Sequence, residues 1–297
     1  MFNITFLGTS AMVPTKERNH SSVYVEHNGT GILLDCGEGT QRQLRIAGIS
    51  PAKISIICLT HWHGDHAFGI PGLLQTMSAS NVIHEVTIIG PEGTDKNIKA
   101  LLSVYPGMIH YPLRIIEAEQ EVIGYPKFDI IAMRVEHSVP TLGFSIKEHD
   151  TRRMRQEKLK KEGIPDGPWL GLLQKGKKAE YNNIMLEPGN YTVVIEGKKI
   201  SYIMDSAYCN NSYELAKDSD LLICEATFSD EHDEKSTDYG HMTGRQAGML
   251  AMKANTKKLV LTHFSQRYKN INPLLEQAKE AFPETIAAED FMKIKIK

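Results

Sequence analysis

Apolar residues recur along this chain in short runs bounded by polar turns. Runs of β-like composition fall at residues 3–7, 22–26, 31–34, 54–60, 85–89, 128–136, 191–195, 199–204, 221–224 and 258–262. Helical spacing appears between some of them, at 39–47, 69–79, 94–104, 213–217, 244–253 and 273–281. Strands early and again late, with helices interspersed, predict a layered α/β protein. No internal repeat of fixed period is present.

One segment breaks this pattern. Residues 150–180 hold nine Lys or Arg against five Asp or Glu, with glycines and prolines at Gly163, Pro165, Gly167, Pro168, Gly171 and Gly176. A compact core has little use for such a composition. The expectation is a protruding arm: a short basic helix followed by a bent tip. Composition by itself fits a solvated surface loop equally well.

Bulk properties narrow the class without naming a function. The chain has 297 residues, 41% of them hydrophobic and 24% charged, which are ordinary globular values. A net formal charge of −2 argues against wholesale coating of nucleic acid, but leaves room for a local basic patch. Cys36, Cys58, Cys209 and Cys224 form no CxxC pair, and three of them lie in or beside apolar runs. Buried, reduced thiols and a cytoplasmic setting are therefore expected. No signal peptide and no membrane span is read.

The strongest chemical signal is Thr60–His66, THWHGDH, directly after the apolar run ISIICL. His61, His63, Asp65 and His66 place four ligand-type side chains within six residues, with imidazole suited to zinc and carboxylate to zinc or manganese. Gly64 is expected to permit a sharp bend there. Six residues cannot close two metal sites. Distant residues in the same context are His137, Asp205 and His263, each following a β-like run. In α/β sheets the carboxyl ends of strands are where ligands gather, so one shared site is expected. A binuclear site would suit phosphodiester hydrolysis, because two cations neutralise phosphate oxygens and acidify water. Asp65 is the natural positioner and base. Glu225, ending another apolar run, is expected to orient His241, and His241 to protonate the leaving oxygen. Thr243 reads as a helix cap.

The series HxHxDH, His, Asp, His is that of the metallo-β-lactamase superfamily, and the details resemble ribonuclease Z, the tRNA 3′-endonuclease. FLGTS, DCGEGTQRQ at 35–43, HWHGDHAFGIPGLL, LLICEATF and His241-Met242-Thr243 are all similar to that family's motifs. The resemblance covers nearly the whole chain. It implies a βα/αβ four-layer sandwich spanning 1–297, with an inserted flexible arm at 150–180. It assigns His61, His63 and His137 to one zinc, Asp65, His66 and His263 to a second, and Asp205 to both.

The same resemblance casts Gly163–Lys177 as an exosite tip that clamps tRNA, placing Gly163, Gly167 and Pro168 against substrate. PTKERN at 14–19 resembles a loop near the substrate's 3′ end, where Lys16 and Arg18 could contact phosphate. The implied reaction removes the 3′ trailer of precursor tRNA, by a homodimer and with no membrane. The chain departs from the family at MDSAYC around Asp205, and in having Cys224 where histidine is usual. Other readings are a small-molecule phosphodiesterase or arylsulfatase-like enzyme on the same fold, and a non-catalytic RNA-binding module.

Overall fold

The computed structural model describes residues 1–104 and 109–297, apart from the side chains of 233, 235 and 237. Two seven-stranded sheets form its frame. The first runs in the order Lys293–Ile296, Phe2–Gly8, Ser22–His27, Thr30–Leu34, Ile54–Cys58, Val86–Gly90, Leu113–Glu117. The second runs Thr285–Ala287, Leu259–Thr262, Leu221–Glu225, Lys199–Ile203, Thr141–Glu148, Phe128–Val135, Gln120–Gly124.

Alternation along the strands explains the layering. In Ile54–Cys58, Ile56 and Cys58 point into a core shared by both sheets, while Ile54 and Ile57 point to the outer face. That shared core takes Phe2, Ile4 and Phe6 from one sheet and Leu142, Phe144, Tyr202 and Ile223 from the other. Helices Thr40–Ile46, Ile70–Ala79 and Thr94–Ser103 cover the outer face of the first sheet. Helices Asn210–Ala216, Gly244–Lys253 and Asn272–Ala281 cover the second. Strands buried on both faces read as unbroken apolar runs, which is why ISIIC, KISYI and LLICE stand out in the sequence. The result is the four-layer metallo-β-lactamase sandwich.

Of the strands in these two sheets, Leu113–Glu117, Gln120–Gly124, Thr141–Glu148, Thr285–Ala287 and Lys293–Ile296 escape the pattern reading. The first, second and last are edge or next-to-edge strands with partly exposed faces and weak apolar runs. Thr141–Glu148 is buried but interrupted by Gly143 and Ser145.

Residues Lys147–Lys198 form a second compact unit. It is wider than 150–180 and has a small core of its own, made of Met154, Leu159, Leu173, Ala179, Leu186 and Tyr191. A core is therefore present where the composition of 150–180 suggests little use for one. Its apolar residues are spread over two short helices, Gln156–Lys161 and Pro168–Gln174, and two hairpin-like pairs, so no single element shows a period. The run at 191–195 belongs to this unit. It pairs with Thr151–Met154, and Val193, Val194 and Ile195 are exposed.

All four cysteines are free and buried. Cys224 packs in the outer core of the second sheet, and burial drives its thiol pKa well up, which leaves it unreactive. Among the described residues, no helix is long and apolar enough to cross a membrane.

Candidate metal centre

Four chain segments deliver ligand-type side chains to one place. His61, His63, Asp65 and His66 follow the strand Ile54–Cys58, His137 follows Phe128–Val135, Asp205 follows Lys199–Ile203, and His263 follows Leu259–Thr262. Ligand atoms of His61, His63, His137 and Asp205 lie within 4.8 Å of one another, and so do those of Asp65, His66 and His263. Asp205 joins the two groups. Its Oδ2 is 3.4 Å from His61 Nε2, 3.6 Å from His66 Nε2 and 3.8 Å from His137 Nε2, while its Oδ1 is 3.0 Å from His263 Nε2. Asp65 Oδ2 is 3.4 Å from His66 Nε2 and 3.5 Å from His263 Nε2.

The hydrogen bonds behind the imidazoles decide which nitrogen faces inward. The Thr60 hydroxyl donates to Asp35 and therefore accepts from His61 Nδ1, at 3.0 Å. The Thr227 hydroxyl donates to Glu225 Oε2 at 2.6 Å and therefore accepts from His263 Nδ1, at 2.9 Å. His66 Nδ1 donates to Asp35 Oδ2 at 2.8 Å, and His137 Nδ1 to the Gly240 carbonyl at 3.1 Å. A hydroxyl that already donates, a carboxylate and a carbonyl can each only accept, so these four Nδ1 atoms carry a proton and each ring, when neutral, presents a lone pair at Nε2. Four lone pairs and two carboxylates then face one another. His61 Nε2, His137 Nε2 and Asp205 Oδ1 are buried without a hydrogen-bond partner. Acceptors crowded together in a buried pocket are satisfied only by positive charge, so this donor set fits a divalent cation.

The demand of the surrounding carboxylates for positive charge shows in the titration of His66. Burial alone would lower the His66 pKa, but Asp205, Asp35 and Asp65 outweigh it and raise it well above the ordinary value. Burial opposes ionisation of Asp205 and Asp65 too, yet the surrounding imidazoles hold both well below the usual carboxylate range. Burial holds His61 down at about 4.

Backbone strain accompanies these contacts. Asp35, Asp205 and His263 all have positive φ, at 56°, 43° and 59°. Each costs on the order of 1–3 kcal/mol and turns a side chain at a strand end into the site. Gly64 works differently from the expected bend. Its φ is not positive; a Cβ there would meet the Phe68 ring at 2.8 Å.

Glu225 and His241 come together as expected. His241 Nδ1 is 3.1 Å from both Glu225 oxygens. Glu225 is fully buried and also accepts from Ser206 N–H at 2.7 Å. Burial alone would lower the His241 pKa, but Glu225 and then Asp205 lift it to about 9. A ring nitrogen of His241 lies within 4.8 Å of ligand atoms of Asp205 and His263, at the edge of the cluster. Thr243 caps the helix Gly244–Lys253 through a capping box with Gln246.

Arg18 and the arm residues have local structural explanations. Arg18 donates to Thr9 Oγ1 at 2.7 Å and to the Ala288 carbonyl at 2.8 Å, and its guanidinium lies over Phe264. It anchors the 14–19 loop inward, whereas Lys16 is exposed. Gly163, at φ 65°, ends the helix Gln156–Lys161. Its N–H bonds Lys160 O and the Ile164 N–H bonds Leu159 O, a Schellman termination. Gly167 and Pro168 open the helix Pro168–Gln174, and a Cβ on Gly167 would strike the Trp169 ring at 2.3 Å. Gly163, Gly167 and Pro168 belong to the Lys147–Lys198 unit and are not part of the His/Asp cluster.

Asp35 is the residue whose role sequence reasoning missed. It is fully buried and accepts from Thr60 N–H at 2.7 Å, Tyr202 OH at 2.9 Å and His66. Its signal was present in the DCG that follows the strand Thr30–Leu34. Thr60, Thr227 and Gly240 carried no signal of their own.

Comparison with known proteins agrees with this geometry. A family profile described as the metallo-beta-lactamase superfamily matches residues 15–145. Ribonuclease Z of Archaeoglobus fulgidus is 38% identical over 304 residues, covering 100% of this chain and 98% of that one. Ribonuclease Z of Bacillus thuringiensis is 38% identical over 295 residues, covering 96% of each chain. The crystal structure of the short form of human tRNase Z superposes with a TM-score of 0.72 at 30% identity, covering 99% of both chains. The buried histidine and aspartate cluster thus sits in a chain that matches these relatives from end to end, and the chain belongs to the ribonuclease Z family.

Proposed function

We propose that this protein is a zinc-dependent endoribonuclease that hydrolyses precursor tRNA at the 3′ trailer. The products would be a tRNA with a 3′-hydroxyl and a trailer with a 5′-phosphate. The observation that carries the reading is the convergence of seven ligand-type side chains from four segments of a chain that aligns with ribonuclease Z over 98% of that relative's length.

His61, His63 and His137 would hold one zinc, Asp65, His66 and His263 a second, and Asp205 both. Manganese is compatible with the same donors. Two such cations would neutralise phosphate charge and bring the pKa of water towards ~7. The protein's own groups do the rest. Asp65, steadied by the Met12 N–H at 2.7 Å, orients the attacking water and is first acceptor of its proton. Glu225 holds the His241 ring in place and keeps it protonated at neutral pH. His241 gives its proton to the departing 3′ oxygen of the ribose.

Lys147–Lys198 supplies exposed cations for the phosphate backbone of folded RNA, and Gly163, Gly167 and Pro168 shape its tip. Lys16 contacts phosphate near the 3′ end, with Arg18 fixing the loop that presents it. A homodimer in the cytoplasm completes the proposal.

The test is incubation of zinc-loaded protein with a precursor tRNA bearing a 3′ trailer, mapping both product ends. A single cut at the trailer junction leaving 3′-hydroxyl and 5′-phosphate is expected. Intact precursor together with rapid hydrolysis of a small phosphodiester would replace the proposal with a small-molecule hydrolase.

A further inference from the structure

Met12 occupies an unusual place. It has φ of 52°, a left-handed conformation that glycine adopts freely and methionine does not. The Val13 N–H donates to the Ala11 carbonyl, so Met12 is the centre of a three-residue turn with positive φ, the rarer and more strained γ form. Its backbone is tied down on both sides. The Met12 N–H donates to Asp65 Oδ2 at 2.7 Å, and its carbonyl accepts from His20 Nε2 at 3.2 Å. The residue is 80% exposed.

The backbone conformation is explained by Asp65, because the turn aims an N–H at that carboxylate. The side chain is not explained by the fold. An exposed methionine recovers no packing in return for its strain, and glycine would make the same N–H contact without it. Strain that packing does not offset points to use. The Met12 Cα is one bond from the nitrogen that touches Asp65, so the side chain starts at the mouth of the metal centre. It is flexible, polarizable and uncharged, suited to a flat apolar face and not to a phosphate. In a single-stranded junction, the faces on offer are those of nucleobases.

We infer that the Met12 side chain packs on a nucleobase next to the scissile phosphate and helps to seat the cleavage junction. This inference rests on the ribonuclease reading above.

The test compares wild type, Met12→Gly and Met12→Leu as zinc-loaded proteins. Substrates are a natural precursor tRNA and two versions with an abasic nucleotide on either side of the cleaved bond. On natural precursor, Met12→Gly should lower kcat/KM about tenfold, the scale of a lost apolar contact. Its metal content should match wild type, and Met12→Leu should recover most of the loss. On one of the abasic substrates the difference between wild type and Met12→Gly should vanish. An equal penalty on both abasic substrates, a lowered metal content in Met12→Gly, or full activity of Met12→Gly on natural precursor would each overturn the inference. If wild type cleaves none of the three, the ribonuclease reading itself falls and takes this contact with it.

Discussion

The metal centre and the Lys147–Lys198 unit handle charge in opposite ways. Around Asp205 the charged groups are buried or half-buried, and most are oriented by a hydrogen bond to a neighbour, such as His66 to Asp35 or His241 to Glu225. In Lys147–Lys198 the cations lie mostly in water, with a few surface pairs such as Lys178 with Glu187 at 2.6 Å and Lys158 with Glu162 at 3.9 Å. The contrast follows from what each region must do. Chemistry at a phosphorus needs charges fixed in advance in a low-dielectric pocket, so that nothing reorganises during the reaction. Grip on an RNA backbone needs cations whose counterions can be released, and those must be exposed.

The contrast breaks most sharply at Asp65. Asp65→Ala should leave no measurable cleavage while tRNA affinity, measured by filter binding, stays within about threefold, since exposed cations supply most of it. Retained cleavage would remove Asp65 from its role. His241→Ala should slow single-turnover cleavage by roughly 10²–10⁴-fold, the usual contribution of a positioned acid. Both metals should stay bound; loss of one would make His241 a ligand instead.

Deleting 152–178 should act on the other side of the comparison. Precursor cleavage should fall on the order of a hundredfold while a small diester is hydrolysed as before. Wild-type tRNA binding should also weaken steeply between 50 and 200 mM salt, and a flat response would deny the unit its electrostatic role.

Asp35→Asn keeps the shape of the side chain but weakens its hold on His66. Metal affinity should fall about 10–100-fold by competition with a chelator. Unchanged affinity would show that Thr60 and packing orient His66 unaided.

The smallest effect is one of pH. Because the folded protein raises the His241 pKa to about 9, the proton donor is present below that value and is lost as pH rises through it. The stability the pair contributes follows the same sign, complete below the ordinary imidazole range and lost as pH passes about 9. Glu225→Gln should therefore move the alkaline limb of the rate profile to lower pH; an unmoved limb would detach Glu225 from His241.

Much of this molecule is legible in its sequence. Strands such as ISIIC and KISYI are buried on both faces and announce themselves as unbroken apolar runs. THWHGDH concentrates four ligands in one turn, and His137, Asp205 and His263 each follow a strand. Weak edge strands such as Gln120–Gly124 were not legible, because their exposed faces carry no apolar bias. Nor was the core of Lys147–Lys198, whose six buried residues are scattered over short elements with no common period. Arg18 illustrates a different limit. Its type suits phosphate, yet its partners Thr9, Phe264 and Ala288 are brought to it only by folding.

The sequence by itself determined which residue types are available and that they stand at the ends of strands, because side-chain periodicity and turn chemistry are local. Tertiary structure alone decided which nitrogen of each imidazole faces inward, that Asp35 stands behind His66, and that a strained Met12 caps Asp65. Those outcomes depend on sheet order and register, which bring together groups as far apart as His66 and His263, and no local rule reaches across that distance.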